Sequence, residues 1–512
     1  MMKTSLSRRD FLKLSASLPL GLAASSLLQP SGSQQLYQAG QTNILVVVFD
    51  AFSAYDIPIH GYQRKTTPNL ARLADRAIVY HNHYAGCNFT TPGTASLLTG
   101  TLPWTHRALK PKSMVAEPFV KKNIFGAFPD HYRIAYTHNG WANILLEQFY
   151  EEIDELVPWK SLFLQAYAGF IQTLFNKDSD TAYVSWTRNV NFKQEGYAYS
   201  LFLSHVYDLL QENKVADLRK LFPRGIPSTG FADSGFLLEN AIDWFGTRLT
   251  NIPQPFLGYF HLLPPHGPYN TTAEFYNRFS QDGFRSVEKP EDVFSEGVPY
   301  KALQDKRTEY DEFIMYVDKE FGRLFESLEA SGLLANTWVV LTSDHGEMFE
   351  RGISGHSTDA LYQPVIRIPL MIFEPGRETG MDVHAPTSAA DVLPTLLHLS
   401  GKQFPDWTDG IVMPPFADTG EDSNRNIYVV RATRNDVNGP LRRASTMLVK
   451  GRYKLLYFFG YQDLKIDDFV RLYDVEADPE ELVDLYPSQK SIAEDLLDEL
   501  KRKLADVDRP FL

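Results

Sequence analysis

The amino-acid sequence predicts an α/β fold with a mostly parallel central sheet, helices on both faces, and a small C-terminal antiparallel sheet-and-helix subdomain. Up to about residue 410, continuous apolar runs alternate with stretches of helical periodicity, which is typical of a parallel sheet covered on both sides. Beyond that point the segments become short and alternating, and a charged helical stretch follows at 488–505.

Five apolar runs are the candidate strands of the large sheet. The first, TNILVVVFD, is apolar almost throughout and ends in an acid, as expected of a strand buried on both faces. The runs cover 42–50, 132–137, 256–262, 337–343 and 367–373. Apolar side chains at helical spacing predict a helix over 306–331, with Gly332 placed to end it. Ligands of such sheets bind beyond the carboxyl ends of the strands, where Asp50 and Asp344 stand.

Composition excludes several classes of protein. The chain has 512 residues and a net charge of −13, which offers no basic surface for nucleic-acid binding. Its single cysteine, Cys87, excludes an intrachain disulfide and a cysteine-rich metal cluster. We therefore expect a globular protein with a large core and no nucleic-acid partner.

The N-terminal residues have the order of an export signal. Arg8 and Arg9 precede an apolar run that ends near Leu28, and the adjacent arginines resemble a twin-arginine signal. Residues 1–35 are therefore interpreted as a signal peptide read by the twin-arginine export machinery, although a cytosolic amphipathic start is the alternative. No later segment reaches the roughly 18 apolar residues of a membrane span. We expect a protein exported to the bacterial periplasm, cell envelope or medium.

The remaining chain divides into two predicted parts. A large α/β domain is expected over 36–410, and a C-terminal subdomain over 411–512. Within the first part, residues 141–250 are rich in aromatics and helical patterns and contain no clear strand, so they are interpreted as a helical insertion or cap over the site.

The stretch TSDHGE is the first sign of a metal site. Asp344 and His345 follow a strand and can present an oxygen and a nitrogen ligand to one point, a mixed set that zinc and harder divalent cations accept. A helix-capping Asp beside a surface His is the structural alternative. Asp50, at the end of the first strand, is a candidate third ligand.

Several separated stretches together resemble the sulfatase branch of the alkaline-phosphatase superfamily. They run in the family's order from about residue 42 to the C-terminus: NILVVVFDAFSAYDIPIHGY, TPNLARLADRAIVYHNHYA, TTPGTASLLTG, LLPPHGPY, WVVLTSDHGEMFE, YQPVIRIPLMIFEPG, DVLPTLLHLSG and RLYDVEADPEELVDLY. The resemblance implies an alkaline-phosphatase/sulfatase-like fold and metal-ligand roles for Asp50, Asp344 and His345. It also implies that His266 is a substrate-side histidine.

The nucleophile segment departs from the sulfatase pattern. Aligning LLTG at 97–100 and Pro92 puts Thr90 where sulfatases have the Cys or Ser that becomes formylglycine, with Gly93 at the serine and Thr94 at the arginine. A threonine cannot become that aldehyde, so no formylglycine is expected. Ala51 replaces one acid of the family's first-strand pair, and Asn139 stands where the family has a lysine.

The residues that remain still form a complete set of four metal ligands, Asp50, Thr90, Asp344 and His345. A threonine in such a shell is similar to lipoteichoic acid synthase and the phosphoethanolamine transferases, which attack phosphorus with that hydroxyl. The resemblance thus implies one divalent ion (Mn²⁺, Mg²⁺, Ca²⁺ or Zn²⁺) and a Thr90 nucleophile. His266 and His356 are candidates to protonate the leaving oxygen, and Asn139 and Trp141 are candidates for the pocket lining.

Three functions follow from this sequence. The leading hypothesis is cleavage or transfer of a phosphodiester or phosphomonoester, with a small-molecule, lipid-headgroup or glycan substrate. The second is a sulfuric ester hydrolase without formylglycine, and the third is a non-catalytic envelope- or glycan-binding protein on a sulfatase scaffold. The intact ligand set disfavours the third.

Other reactive side chains are interpreted as structural. Cys87 is expected to be a small buried residue, and His81 and His83 are expected at the surface. The arginines of 431–443 are expected to be solvated, although they could bind an anion.

Overall fold

The computed structural model describes residues 42–164, 196–200, 202, 205, 216–230, 234–417 and 420–512. The predicted signal peptide lies outside these residues. The strands are β1 (Asn43–Phe49), β2 (Ile78–Tyr80), β3 (His83–Tyr84), β4 (Tyr132–Thr137), β5 (Glu155–Leu156), β6 (Phe256–Leu262), β7 (Thr337–Thr342), β8 (Phe349–Glu350), β9 (Ile353–Ser354), β10 (Leu370–Phe373), β11 (Met381–Val383), β12 (Thr387–Ser388), β13 (Ile427–Arg431), β14 (Ala444–Lys450), β15 (Tyr453–Phe459) and β16 (Phe469–Asp474). The α-helices are α1 (Pro68–Leu73), α2 (Thr90–Thr99), α3 (Pro103–His106), α4 (Ile124–Ala127), α5 (Gly140–Gln148), α6 (Leu238–Leu249), α7 (Tyr300–Ala330), α8 (Gln363–Ile366), α9 (Val392–Leu399) and α10 (Lys490–Asp508).

The large sheet has eight strands in the order β11-β2-β10-β7-β1-β6-β4-β5. Its four central strands, β7, β1, β6 and β4, are mutually parallel, which confirms the predicted mostly parallel sheet. The run expected at 367–373 forms a strand only from Leu370 and pairs antiparallel with both neighbours. The short helix α8, which has Pro364 in its first turn, ends immediately before this run, so the strand is shorter than its apolar pattern.

Strand β1 shows why its sequence is apolar at nearly every position. Ile44, Val46 and Val48 belong to the hydrophobic core on one face of the sheet, whereas Leu45, Val47 and Phe49 belong to the core on the other face. Helices α1, α6 and α7 contribute to the second core, and α2, α4, α5 and α9 contribute to the first. Because both faces are covered, the strand cannot alternate apolar with polar residues.

The predicted helix at 306–331 is the central part of α7. This helix begins six residues earlier than expected, after Pro299, and it ends at Ala330. Gly332 follows with a φ of 77°, the left-handed conformation that glycine adopts at low cost. The stop signal was therefore placed correctly. The start was missed because Leu303 is the only buried residue in positions 300–305, too few to show a helical period.

The segment 141–250 contains helices α5 and α6 and a helical stretch at 216–221 among its described residues. No clear strand was expected in this segment, but it contains the short strand β5, which pairs in parallel with β4 at the edge of the sheet. Glu155 in β5 bonds to Tyr132 and Arg248, so polar contacts hold this two-residue strand where its sequence gives little β signal. The role of residues 141–250 as a cap stays a prediction.

The C-terminal residues form the predicted antiparallel sheet with a helix. Strands β13, β14, β15 and β16 pair in sequence order. Leu500 and Leu504 of α10 lie in one hydrophobic cluster with Leu448 and Leu455 of the sheet. Packing of the helix on this face explains the alternating pattern of the strands.

Two expectations about surface residues are wrong. His83 is fully buried in β3, and its Nδ1 lies 2.9 Å from the Thr387 hydroxyl of the paired strand β12. Arg431 is not simply solvated: its Nε donates to Asp359 at 2.7 Å, and Nη1 donates to Asn88 at 3.1 Å. Cys87 is buried, as predicted. No helix among the described residues is long and apolar enough to span a membrane.

Asp318 stabilises the start of α1, and we expect its removal to destabilise the fold. Its carboxylate accepts hydrogen bonds from the backbone N–H groups of Asn69 and Leu70, both at 2.8 Å, because Thr67 provides no side-chain cap. We expect Asp318→Ala to lower the free energy of unfolding by about 2–3 kcal/mol, since it leaves one buried and one partly buried N–H group without an acceptor. Denaturant unfolding measures this. Asp318→Asn keeps one acceptor oxygen and should lose less; equal losses would contradict the capping role.

Candidate active site

The four central strands bring polar side chains to one edge of the sheet. Asp50 follows β1, Ser343 and Asp344 follow β7, and Asn139 lies two residues beyond β4. His261 is the penultimate residue of β6, and it pairs in register with Val48 of β1. Because the strands are parallel and adjacent, their carboxyl ends meet, as expected of a ligand site in an α/β sheet.

Thr90 enters this cluster as the first residue of α2. Its Oγ1 lies 3.4 Å from Nε2 of His345, and both residues are buried. Phe89 precedes helix α2 and provides no side-chain cap. Because Thr90 is in the cluster, the N-terminal end of the helix, which is the positive end of the helix dipole, also lies there. The structure therefore brings together all four residues predicted as metal ligands.

The carboxylates of Asp50 and Asp344 are buried, and each has one oxygen with hydrogen-bond partners and one without among the described residues. Asp344 Oδ1 accepts hydrogen bonds from the backbone N–H groups of Ala51 at 3.3 Å and His345 at 3.0 Å. Asp50 Oδ2 is contacted by Asn139 Nδ2 and by His261 Nε2, the latter at 3.2 Å. Asp50 Oδ1 and Asp344 Oδ2 have no hydrogen-bond partner among the described residues. An unsatisfied buried carboxylate oxygen is costly unless it faces a cation.

These two oxygens converge on His345. Its Nε2 lies 3.4 Å from Asp50 Oδ1 and 3.7 Å from Asp344 Oδ2. Ligand atoms of Asp50, Asp344 and His345 lie within 4.8 Å of one another. His345 Nδ1 bonds to the Gly346 carbonyl at 2.9 Å, which leaves Nε2 for the cluster. The residues present fit a divalent cation with mixed oxygen and nitrogen ligands.

The electrostatics of the cluster favour positive charge. Burial raises the pKa of Asp344, and the neighbouring Asp50 carboxylate raises it further. Burial alone would lower the pKa of His345, but Asp344 and Asp50 raise it to about 9. Burial alone would raise the pKa of Asp50, but His266, His261 and His345 hold this pKa well below the usual range. The two carboxylates thus stabilise a proton or a cation between them.

Asn139 has a fixed orientation. Its Oδ1 accepts the backbone N–H of Trp141 at 2.7 Å and caps helix α5. The other end of the amide, Nδ2, therefore faces the site and donates to Asp50 Oδ2 and, at 3.4 Å, to Thr90 Oγ1. Trp141 contacts this group through its backbone N–H, and no described contact brings its indole to the cluster.

His266 and His356 lie next to the cluster. The His356 ring is 4.3 Å from that of His345 and 4.9 Å from that of His266, measured between ring centres. Burial lowers the pKa of His356 despite Glu347, whose Oε1 lies 2.9 Å from His356 Nδ1. The contact with Glu347 leaves His356 Nε2 as the ring nitrogen that can exchange a proton with a ligand.

Sequence reasoning missed His261 and Glu347. His261 stands inside the apolar run FLGYFHL, where it was counted as a strand residue, yet a polar residue near the carboxyl end of a buried strand is itself a signal. Glu347 follows the DHG segment directly, and its only sequence signal was that proximity.

Comparison with known families identifies the family of the chain. A family model described as "Sulfatase" matches residues 42–402. The chain belongs to the sulfatase family. A second model, for the C-terminal part of N-sulphoglucosamine sulphohydrolase, matches residues 356–509. Sulfatase-family membership makes the protein a hydrolase of sulfate or phosphate esters.

Individual sulfatase relatives are distant but extensive. An ulvan-active sulfatase of Formosa agariphila is 25% identical over 78% of this chain and 70% of its own length. A choline-sulfatase of Rhizobium meliloti is 24% identical over 87% and 82%. The crystal structure of a phosphonate monoester hydrolase of Agrobacterium radiobacter superimposes with a TM-score of 0.65 at 17% identity, covering 92% of this chain and 96% of that one. The structural likeness shows the shared fold.

Proposed function

We propose that this sulfatase-family enzyme uses a divalent cation and cleaves or transfers a phosphoester through a covalent bond to Thr90. The observation that supports this proposal most is the contact of Thr90 Oγ1 with His345 Nε2 beside two carboxylate oxygens that have no hydrogen-bond partner among the described residues. Asp50, Asp344, His345 and Thr90 would hold the cation, which lowers the pKa of the hydroxyl and neutralises charge on the phosphoryl group.

The nucleophile argues for phosphorus and against formylglycine. Formylglycine forms from a Cys or a Ser, whereas the residue in the position of the nucleophile is Thr90. Cys87 is no substitute, because it is fully buried and burial raises its thiol pKa to about 12. A threonine hydroxyl can attack phosphorus directly, as any alcohol can once it is deprotonated.

Thr90 Oγ1 would release its proton to water and bond to phosphorus, and the bond from phosphorus to the leaving oxygen breaks. The leaving oxygen takes a proton from His266 or His356. Water, or an acceptor alcohol in a transfer reaction, then attacks the phosphothreonine and gives its proton back to that histidine. The bond from phosphorus to Oγ1 breaks, and Oγ1 takes a proton from water, which regenerates the threonine. Asn139 Nδ2 donates to Thr90 Oγ1. This amide would stabilise part of the negative charge that the lysine of the sulfatase pattern would stabilise.

A sulfuric ester hydrolase is the second candidate. The curated relatives named as ulvan-active sulfatase and choline-sulfatase favour it. It would require the same cluster to hydrolyse a sulfate ester with a threonine or a water as nucleophile. Small molecules and glycans are the proposed substrate classes for both candidates, and export through the twin-arginine pathway stays a prediction from Arg8 and Arg9.

Turnover of matched substrates separates the two candidates. The metal-reconstituted enzyme should cleave an aryl phosphodiester or phosphomonoester, and it should cleave the aryl sulfate of the same leaving group at least about 100-fold more slowly. The reverse order of rates would establish the sulfatase alternative. Absence of bound metal and of turnover with all three esters would favour a non-catalytic protein.

Gly93 provides a test of how closely α2 must approach β7. A Cβ at Gly93 would overlap the backbone oxygen of Asp344, so Gly93→Ala must push the start of the helix away from the strand. Thr90 lies one turn earlier on that helix, and we expect turnover to fall about 100-fold, as for a displacement of roughly 1 Å at a reacting group. Gly235→Ala is the matched control, because its Cβ would meet its nearest neighbour at an ordinary 3.6 Å. Equal rates for both variants would contradict this account.

A further inference from the structure

His261 and Tyr259 form a buried chain that leads to Asp50. Both side chains are completely buried, and the Tyr259 hydroxyl lies 3.2 Å from His261 Nδ1. On the other side of the ring, His261 Nε2 lies 3.2 Å from Asp50 Oδ2. The two residues lie two positions apart on strand β6, so their side chains are on the same face and the strand itself sets their spacing.

The two carboxylates of the cluster are held in the same way. Asp344 Oδ1 accepts two N–H groups, those of Ala51 and His345. Its Oδ2 has no hydrogen-bond partner among the described residues and lies 3.7 Å from Nε2 of both His261 and His345. Asp50 Oδ2 accepts Asn139 Nδ2 and faces His261 Nε2, while its Oδ1 remains. In both cases one oxygen is held by two nitrogen atoms, and the other points toward His345 Nε2.

Hydrogen-bond accounting sets the tautomer of His261. A carboxylate oxygen only accepts, so a contact of 3.2 Å with Asp50 Oδ2 is attractive when Nε2 carries the proton. Nδ1 is then an acceptor, and the Tyr259 hydroxyl is its donor. In this arrangement the Tyr259 hydroxyl, both ring nitrogens of His261 and Asp50 Oδ2 are satisfied, whereas Asp50 Oδ1 has no hydrogen-bond partner among the described residues.

We propose that His261, oriented by Tyr259, is a positioning residue that turns Asp50 so that Oδ1 faces the divalent cation. The inference rests on the cation of the proposed function but concerns a residue outside its ligand set. It also explains how the site works with Ala51 in place of an acid: the backbone of Ala51 holds Asp344, and His261 holds Asp50. Hydrogen-bonding partners of metal ligands contribute typically 10–100-fold to metal affinity.

The experiment measures cation affinity without substrate. Metal-depleted enzyme is titrated calorimetrically with Mn²⁺, and the visible spectrum of the Co²⁺ form is recorded, for the parent and for His261→Leu, His261→Gln and Tyr259→Phe. We expect His261→Leu to weaken Mn²⁺ binding 10–100-fold relative to the parent, and Tyr259→Phe to weaken it several-fold. His261→Gln keeps an N–H donor near the Nε2 position and should bind within about threefold of the parent, with an unchanged Co²⁺ spectrum.

His138→Leu is the matched control. His138 is a fully buried histidine just beyond the neighbouring strand β4, and it stacks on Phe236, with ring centres 4.1 Å apart. Its two ring nitrogens have no hydrogen-bond partner among the described residues, so its loss should leave Mn²⁺ affinity unchanged. Circular dichroism of each metal-free variant checks folding.

The other outcomes overturn the proposal in distinguishable ways. If His261→Gln loses as much affinity as His261→Leu and the Co²⁺ spectrum changes, His261 is a metal ligand and not a positioning residue. If His261→Leu binds Mn²⁺ like the parent, His261 has no part in the site, whereas the proposed phosphoester activity is untouched. If the parent binds no divalent cation, both this inference and the metal in the proposed function fail.

Discussion

Thr90→Ala should abolish phosphoester turnover while the protein remains folded. The variant removes the hydroxyl oxygen that is proposed to form the covalent bond and leaves the buried carboxylates and His345 in place. We expect the rate to fall at least about 10⁴-fold, as when a covalent nucleophile is removed from a site whose other groups still act together. Turnover of the aryl phosphoester by metal-reconstituted protein measures the effect.

Thr90→Ser is the control for this prediction. It keeps the hydroxyl at the first position of α2 and loses only a methyl group, so we expect turnover within about tenfold of the parent. The covalent step gives a second readout: after rapid acid quenching, the parent and Thr90→Ser should carry an added phosphoryl group on the peptide that contains residue 90, and Thr90→Ala should not.

A different result would change the assignment of the nucleophile. If Thr90→Ala still cleaves a sulfate ester at the parent rate, the reaction uses water or another group, and the family resemblance has more weight than the identity of residue 90. If Thr90→Ala loses turnover but the parent shows no phosphorylated peptide during a single turnover, Thr90 acts as a metal ligand and not as the covalent nucleophile.

The positions of Asp50 and Asp344 could be predicted because they depend on local sequence. Each follows an apolar run long enough for a buried strand, and parallel strands necessarily meet at their carboxyl ends. Thr90 was found through the resemblance, since nothing in its own neighbourhood marks a threonine at the first turn of a helix as reactive. The fold class followed from the same alternation of strands and helices.

The contacts of His261 and Asn139 could not be predicted in the same way, because they depend on register and on side-chain orientation. His261 faces Asp50 only because β6 pairs with β1 such that Val48 lies opposite it. The Asn139 amide presents its nitrogen to the site because its oxygen caps α5. His83 was expected at the surface because the two-residue pairing of β3 with β12 leaves no periodic pattern in the sequence.

Asp344→Asn should remove cation binding and make the metal-free protein no less stable. In the absence of metal, Asp344 and Asp50 are two buried carboxylates that repel each other, and burial together with the Asp50 charge raises the pKa of Asp344. A neutral amide relieves that repulsion and still accepts the N–H groups of Ala51 and His345 through its oxygen. Its NH₂ group would then face the cation in place of Oδ2, and we expect affinity to fall by more than about 100-fold.

Thermal unfolding with and without Mn²⁺ measures both effects. At a free metal concentration of about 1,000 times Kd, binding stabilises the parent by about 4 kcal/mol, whereas the same concentration should stabilise Asp344→Asn by less than about 1.5 kcal/mol. Asp318→Asn is the matched control, since Asp318 is a buried carboxylate outside the site that caps α1. It should lower stability equally with and without metal. A metal-induced increase for Asp344→Asn as large as that of the parent would show that the cation binds without Asp344, and the cluster around His345 would then have to be explained by its protonation alone.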